Sequence, residues 1–363
     1  GNTGWVLAGD NGAGAVDPLL LAGGAATTTT FTKAGLGYLF LGDATAYGGK
    51  IVIAPNGGYF DIRGKGQITG ASGIVINSMG QLRLENNSGL GSSRMFTSEY
   101  LGDRVADSIP IEMNGGYIWV RARNSTSQRS ETFGTVTLAS GQNFIEGDRE
   151  GQGVEITLSN LARQTGSTVR FGGEGTLGTT GDNTRVYLGQ VNGAAPDATL
   201  IGGWATITGN NSVGYGANGV FINNGTNQGA AAFTPAAGTV YNLNASGTAT
   251  VSNEADDAAE MLALRFGANA GQTLAFSDAN DLLYVGSGGI LTDGNNQGRS
   301  IGTSSVRGRI TAGLISGSTG TQELFLHNNS NTLTVHAVIE DNPNGGSPLP
   351  VAVVKDLDGQ VNL

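Results

Sequence analysis

Cysteine is absent from this 363-residue chain, histidine occurs twice, proline eight times, and charged side chains make up 13%. Each shortage removes a class of protein. Without cysteine there are no disulfides and no thiolate metal sites, whatever compartment the protein occupies. So little proline, with no Gly-X-Y period, excludes collagen and a proline-rich linker. The charged fraction is about half the roughly 25% of an ordinary domain, and what charge there is leans acidic, 19 Lys and Arg against 29 Asp and Glu for a formal net charge of −10. That balance leaves no basic stripe to neutralise phosphates and argues against nucleic acid as a partner. No run of 18 apolar residues occurs, so no transmembrane helix is expected. The opening GNTGWVLAGDNG lacks a basic segment, so no signal peptide is read there, and a processed fragment starts equally well at this point.

What is present is glycine, 62 residues of it, set among short β-branched runs, with 38% hydrophobic residues overall. That is enough apolar surface for a core, and Ser, Thr, Asn and Gly supply the polarity. One stretch occurs twice: residues 51–63 read IVIAPNGGYFDIR and residues 109–121 read IPIEMNGGYIWVR. Each copy is an alternating run, an Asn-Gly-Gly, and a second alternating run. Alternation with period two marks a strand with one buried face. Asn-Gly-Gly tolerates positive φ, so the chain turns sharply between strands. A recurring strand–turn–strand unit is the signature of a stacked β architecture.

Along the chain, residues 1–48 form an irregular N-terminal segment with the first coils, in which YLFL at 38–41 is the first clear strand. From residue 49 to 363 a continuous body follows. Its strand-sized runs include KIVIA, GYFDIR, GIVIN and QLRLEN, then TFGTVTL, VEITL, STVRF and RVYL. Residues 89–108 interrupt the rhythm as an excursion loop or short helix, residues 192–238 read as a looser, decorated zone, and EADDAAE at 254–260 as a helical turn or two. The last hundred residues return to strands ending in LPVAVVKD. Helical periodicity is nearly absent. The expected fold is all-β: a single-stranded right-handed parallel β-helix (a solenoid) with excursion loops, one domain overall. Right-handedness follows from the preference of parallel crossovers. A chain of this length built from antiparallel sandwiches, the competing reading, would need two or three domains, and no hinge of changed composition separates any.

Candidate chemistry is sparse, and no catalytic, cofactor-binding or metal-binding residue is assigned. Asp61, Arg63, Arg121 and Arg123 would cluster if the two repeat copies stack, which is the arrangement a β-helical polysaccharide lyase or hydrolase would use; solubilising charge at sheet edges is the blander reading. His327 and His336 are the only histidines and lack triad or zinc spacing. Asp256, Asp257, Asp356 and Asp358 lack the ligand pattern of a calcium loop and read as solvated turns. Six Asn-x-Ser/Thr sequons occur, at Asn86, Asn124, Asn210, Asn224, Asn244 and Asn328, of which Asn86, Asn124 and Asn328 fall in expected loops. Trp5, Trp119 and Trp204 are the tryptophans; Trp119, between Ile118 and Val120, is placed outward as a possible glycan contact, against burial beneath a loop.

From residue 109 onward, the segments ETFGTVTLASGQN (131–143), VEITLSNLARQTGSTVRFGG (154–173), EMLALRFGANAGQTLAF (260–276), ELFLHNNSNTLTVHAVIEDN (323–342) and VAVVKDLDGQVNL (351–363) carry a resemblance. In this order they resemble the autotransporter-associated β-strand-repeat passengers of bacterial surface proteins. The resemblance implies a secreted, right-handed β-helical, non-enzymatic stalk or adhesive structure at the cell surface, with no cofactor. The family's usual closing phrase is altered here to VVKDLDGQVNL, and no set of lipid-facing strands follows it. Alternation running to the last residue predicts open coil ends. Trp5, Val6 and Leu7 at one end, and Val353, Val354, Leu357, Val361 and Leu363 at the other, are therefore expected to stack subunits head to tail into a filament or stalk. The expected partners are thus copies of itself and, in the adhesin reading, surface glycans.

Overall fold

The structure, a computed structural model, describes residues 5–7, 29–42, 44–85, 102–122, 129–149, 153–207, 211–252, 258–267, 271–293, 297–329 and 332–363. It is all-β with parallel sheets, and no α-helix occurs among the described residues. The chain divides into two compact units, residues 1–198 with 215–221, and residues 199–214 with 222–363.

In the first unit the chain alternates between two sheets. One contains the strands Trp5–Leu7, Tyr38–Leu41, Tyr59–Ile62, Gln81–Glu85, Tyr117–Arg121, Gln142–Asp148 and Thr168–Gly173. The other contains Thr30–Lys33, Lys50–Ile53, Gly73–Asn77, Ile111–Asn114, Arg129–Ser140, Val154–Arg163 and Thr184–Leu188. Among these strands, neighbours within each sheet are parallel. That pairing rules out the array of antiparallel sandwiches. Identical positions stack into columns: Phe60, Leu82, Ile118, Ile145 and Phe171 in one sheet, and Ile51, Ile74, Ile111, Val136 and Leu161 in the other. All ten side chains are buried. The short apolar runs therefore act as layers of one core, each layer covered by the next. Replacing Ile118 by valine removes one methylene from the middle of such a column, and should cost about 0.5–1.5 kcal/mol in equilibrium urea unfolding.

The two repeat copies do not lie directly on one another. The rung 73–85 stands between them, since Tyr59 pairs with Gln81 and Gln81 with Tyr117. That rung is itself a degenerate third copy. Its turn uses Met79 at φ 62, where the first copy uses Asn56 at φ 53. The turn also shortens by one residue per rung. Ile53, Ile76 and Met113 share a column, as do Tyr59, Gln81 and Tyr117, and the intervening stretches are 54–58, 77–80 and 114–116. In the tightest turn, Asn143 from the following rung closes the backbone account. Its Oδ1 accepts from the N–H groups of Gly115 and Gly116, while its Nδ2 donates to the carbonyls of Ser140, Gly141 and Thr168. A buried amide with all these bonds made stabilises the corner where a half-satisfied one would weaken it.

The second unit repeats the plan with different strands. One sheet runs Thr226–Gln228, Val240–Leu243, Ala258–Phe266, Leu282–Thr292, Arg309–Ala312, Val338–Ile339. The other runs Ala232–Phe233, Gly247–Val251, Gln272–Phe276, Arg299–Ile301, Thr332–Val335, Gln360–Asn362. The core lies between them, with Leu243, Leu264 and Ile290 from the first sheet meeting Val251, Leu274 and Ile301 from the second. The first sheet forks at Leu282–Thr292: residues 282–285 pair with Arg309–Ala312, and residues 289–292 pair with Gln322–Asn328, which in turn pairs with Val351–Asp356. Residues 258–260, read as helical from their acidic and alanine content, belong to the strand Ala258–Phe266, while 253–257 lie outside the described residues. Parallel pairing with residues 282–284 outweighs a weak local helical preference.

Candidate functional site

The outward face of the first unit's Tyr-bearing sheet gathers stacked aromatic rings and a lattice of buried charges. Because side chains alternate, residues flanking the core column point away from it. Three outward columns result. One holds Tyr38, Tyr59, Gln81, Tyr117, Phe144 and Arg170; the next holds Phe40, Asp61, Arg83, Trp119 and Glu146. Glu85, Arg121 and Asp148 form a third.

Aromatic rings stack along the first column, Tyr38 on Tyr59 at 4.4 Å between centroids and Tyr117 on Phe144 at 5.4 Å. Guanidinium groups sit over the rings. Arg121 lies 4.5 Å from the Trp119 centroid, and Arg83 lies 5.5 Å from both Trp119 and Tyr59. Such cation–π pairs strengthen as water is removed. Trp119 is half-buried on this outer face, in contact with arginines on both sides.

Beside the rings lies a closed ionic lattice. Arg63 Nη2 is 2.7 Å from Asp61 and 2.7 Å from Glu85. Arg83 Nη2 is 2.9 Å from Asp61 and 2.5 Å from Glu85. Arg121 reaches Glu85 at 3.6 Å and Asp148 at 2.5 Å. Three positive and three negative groups balance. Asp61 and Glu85 have fully buried side chains, and those of Arg63 and Arg83 are only 4% and 7% exposed. Burial pushes the Asp61 carboxyl above its usual range, opposed by its hydrogen bond to Arg63 and the charges of Arg83 and Arg63, and reinforced by Glu85. Further along, Glu146 takes Arg170 at 2.9 Å and the Tyr117 hydroxyl, and burial with that carboxylate holds the phenol well above its ordinary value.

Asp61, Arg63 and Arg121 are thus brought together, and Arg123 lies outside the described residues. The members not anticipated from the repeat are Arg83, Glu85 and Asp148; QLRLE carried the signal, since its arginine and glutamate occupy the outward positions of the intervening rung. Chemically the lattice is a brace. A glycoside-cleaving carboxyl pair needs a gap that admits a sugar and, in inverting enzymes, a water. Here guanidinium groups fill the space between Asp61 and Glu85, and both carboxyls are shut away from solvent.

The remaining candidates are dispersed. Strand Trp5–Leu7 pairs with residues 39–41 at the margin of its sheet in the first unit. In the second unit Val353 stacks on core Leu324 yet is 42% exposed, because no strand lies beyond Val351–Asp356 among the described residues. Val354 and Leu357 are half-buried, Val361 packs partly buried against the core, and Leu363 is exposed. Trp204 is buried. Asp356 faces His327, and His336 is half-buried. Asn224 and Asn244 are exposed, whereas Asn86, Asn124 and Asn210 lie outside the described residues. Asn328 is a correction: it ends the strand Gln322–Asn328, fully buried, donating to the Gln360 carbonyl and accepting from Thr292, so it is closed to glycosylation. Asp256 and Asp257 lie outside the described residues, and no cluster of three or more metal-ligating side chains occurs among the rest. Nor is any described helix long and apolar enough to cross a membrane. Comparison of the chain with protein-family models, with curated proteins and with solved structures returned no match.

Proposed function

We propose that the chain is a non-enzymatic structural protein of the cell exterior, its two units segments of right-handed parallel β-helix of the kind the passenger-type repeat proteins are built from. The observation that carries this reading is the in-register stacking of both core and charge. Core positions recur after 23 residues from Ile51 to Ile74, 27 from Ile118 to Ile145 and 26 from Ile145 to Phe171. The ionic lattice ties four successive rungs together through Asp61 and Arg63, Arg83 and Glu85, Arg121, and Asp148. Cross-bracing of that kind serves mechanical and proteolytic resistance. Electron cryomicroscopy of the purified chain should resolve rungs repeating about every 4.8 Å within each unit; open, unstacked sheets would overturn the reading.

Val351–Asp356 is the last strand of its branch of the sheet among the described residues, and with Val353 exposed upon it, it supports addition of a further parallel strand. Head-to-tail association of copies is the proposed source of that strand, and chain beyond residue 363 is the other. Sedimentation velocity distinguishes them. Concentration-dependent growth that Val353→Lys abolishes is the expected result, and a monomer at all concentrations sinks self-assembly.

A second reading, a glycan-binding adhesin, is favoured by the half-buried Trp119, Tyr117 and Phe144 on one outer face. Sugar rings stack on such surfaces. A glycan panel read for both binding and product release separates the readings: binding that Trp119→Ala abolishes supports the adhesin, and turnover defeats both.

A further inference from the structure

Seven Asn-Gly pairs occur in the chain, of which Asn11–Gly12 lies outside the described residues. Such a pair has a chemistry of its own. The glycine nitrogen can attack the carbonyl carbon of the asparagine side chain, because the glycine has no side chain to block the approach. The glycine amide and the asparagine side chain must be free to meet, so the bonds around each pair decide which of them reacts.

Five of the six described pairs are held. Gly57 N–H donates to the Ala54 carbonyl at 2.7 Å. Gly115 N–H donates to Asn143 Oδ1 at 2.9 Å, and the Asn114 side chain is tied to Glu112 and Ser140. Gly193 N–H donates to Asn160 Oδ1 at 3.1 Å, while Asn192 Oδ1 accepts the Arg163 N–H at 2.8 Å. Gly225 N–H donates to Asn223 Oδ1 at 2.9 Å. Gly219 is buried at the start of the strand Gly219–Asn223, where a Cβ would collide with the Val186 carbonyl oxygen, so its peptide has no room to turn.

Asn344–Gly345 differs. It lies in the segment joining Val338–Ile339 to Val351–Asp356, the last strands of the two branches of the second unit's forked sheet among the described residues. Its flanks are fixed. Asn342 is fully buried and donates to the carbonyls of Ala312 and Leu314, and its Oδ1 accepts the Asn344 N–H at 2.9 Å. Gly346 N–H donates to the Pro343 carbonyl at 2.9 Å. Between these anchors, neither the Gly345 N–H nor the Asn344 side chain has a hydrogen-bond partner among the described residues. Gly345 is exposed, and nothing lies within 4 Å of a Cβ built on it. Backbone conformation does not set the pair apart, since Asn56 at φ 53 and Asn192 at φ 51 are left-handed like Asn344 at φ 41.

We propose that the fold singles out Asn344 as a site of self-modification to aspartate and isoaspartate. The Gly345 nitrogen gives up its proton and bonds to Asn344 Cγ. The Cγ–Nδ2 bond breaks and ammonia leaves, closing a cyclic imide. Water then opens the ring at one of its two carbonyls. Opening at Cγ gives aspartate; opening at the main-chain carbonyl gives isoaspartate, in which the chain runs on through Cβ and Cγ. One water is taken up and one ammonia released, with nothing oxidised or reduced. Either product puts a carboxylate where the amide was, in the segment that joins the two branch ends.

Peptide mass spectrometry of the full chain, aged in mildly alkaline buffer, tests this. Asn344 should take up the roughly one-dalton difference between amide and acid at least about tenfold faster than Asn56, Asn114, Asn192, Asn218 or Asn224, each of which must first break a hydrogen bond or leave a strand. The aged chain should accept a methyl group at residue 344 from a methyltransferase specific for isoaspartate, and Asn344→Gln, whose longer arm closes the ring poorly, should remove that label. Aged in urea, where no fold holds any pair, the six sites should react at comparable rates. Equal rates in the folded chain, faster reaction at any of the other five, or a preference for Asn344 that persists unchanged in urea would each overturn the proposal.

Discussion

Replacing Asp61 by alanine should lower the unfolding free energy by about 3–5 kcal/mol, the cost of leaving a buried ion pair with one partner. The carboxylate holds Arg63 through Nε at 2.9 Å and Nη2 at 2.7 Å, and Arg83 at 2.9 Å. Without it, two desolvated guanidinium groups share Glu85 alone. The native lattice is not expected to stabilise the fold by anything like that amount, because desolvating six charges offsets most of the attraction between them. Two variants separate these effects. Asp61→Asn keeps the shape and removes the charge, and should be nearly as damaging as alanine. The double variant Asp61→Ala with Arg63→Ala removes one charge of each sign and should cost clearly less than the sum of the two single changes. Equilibrium urea unfolding followed by far-ultraviolet circular dichroism reads all of these. A loss below about 1 kcal/mol for Asp61→Ala, the range of exposed pairs, would mean that water reaches the lattice.

The lattice also marks how far the chain could be read before its structure was known. The alternation in KIVIA, GYFDIR and VEITL identified strands that the structure trims at the ends in the first two and extends to Arg163 in the third, because a half-buried strand writes its geometry directly into the sequence. Parallel stacking was legible from the recurrence of Asn-Gly-Gly-Tyr. Register was not. The offset of 58 that aligns Tyr59 with Tyr117 fails for Ile51, which shares a column with Ile111, because each turn between them drops a residue. Neighbour identity was hidden as well, since Gln81 and Met79 disguise the intervening rung, and Met79 adopts the left-handed conformation without the glycine or asparagine that advertises it. Asp61 and Arg63 were visible as charges, yet their partners belong to that disguised rung. His327 was harder still. One of its two partners, Gly203, lies 124 residues away, and no local pattern reports a contact of that separation.

Glu131 is the least legible of the buried groups and produces the second large effect. The pattern TFGTVTL begins the strand at residue 132, but the structure begins it at Arg129, and Glu131 shares the inward face with Phe133. Its Oε1 accepts the N–H groups of Arg104 at 3.0 Å and Val105 at 2.9 Å. Those bonds and the Arg104 charge favour the ionised form. Burial outweighs them, with Asp103 adding to it, and pushes the carboxyl up from 4.5 to about 8. The sign follows from proton binding. Between these two values the folded chain keeps a proton that the unfolded chain releases, so this group's contribution is complete below about pH 4.5 and is lost as pH rises to about 8. One proton of difference gives a slope of up to about 1.4 kcal/mol per pH unit across that window. Glu131→Gln keeps an oxygen for both backbone amides and cannot ionise. Against wild type it should show a shallower pH dependence of urea midpoint between pH 5 and 8, and it should be the more stable of the two at pH 8. Comparing the two chains cancels the other acids, whose titration is common to both. Equal slopes would place an ionised Glu131 in the folded chain at neutral pH, with the two amides of residues 104 and 105 sufficient to hold the charge.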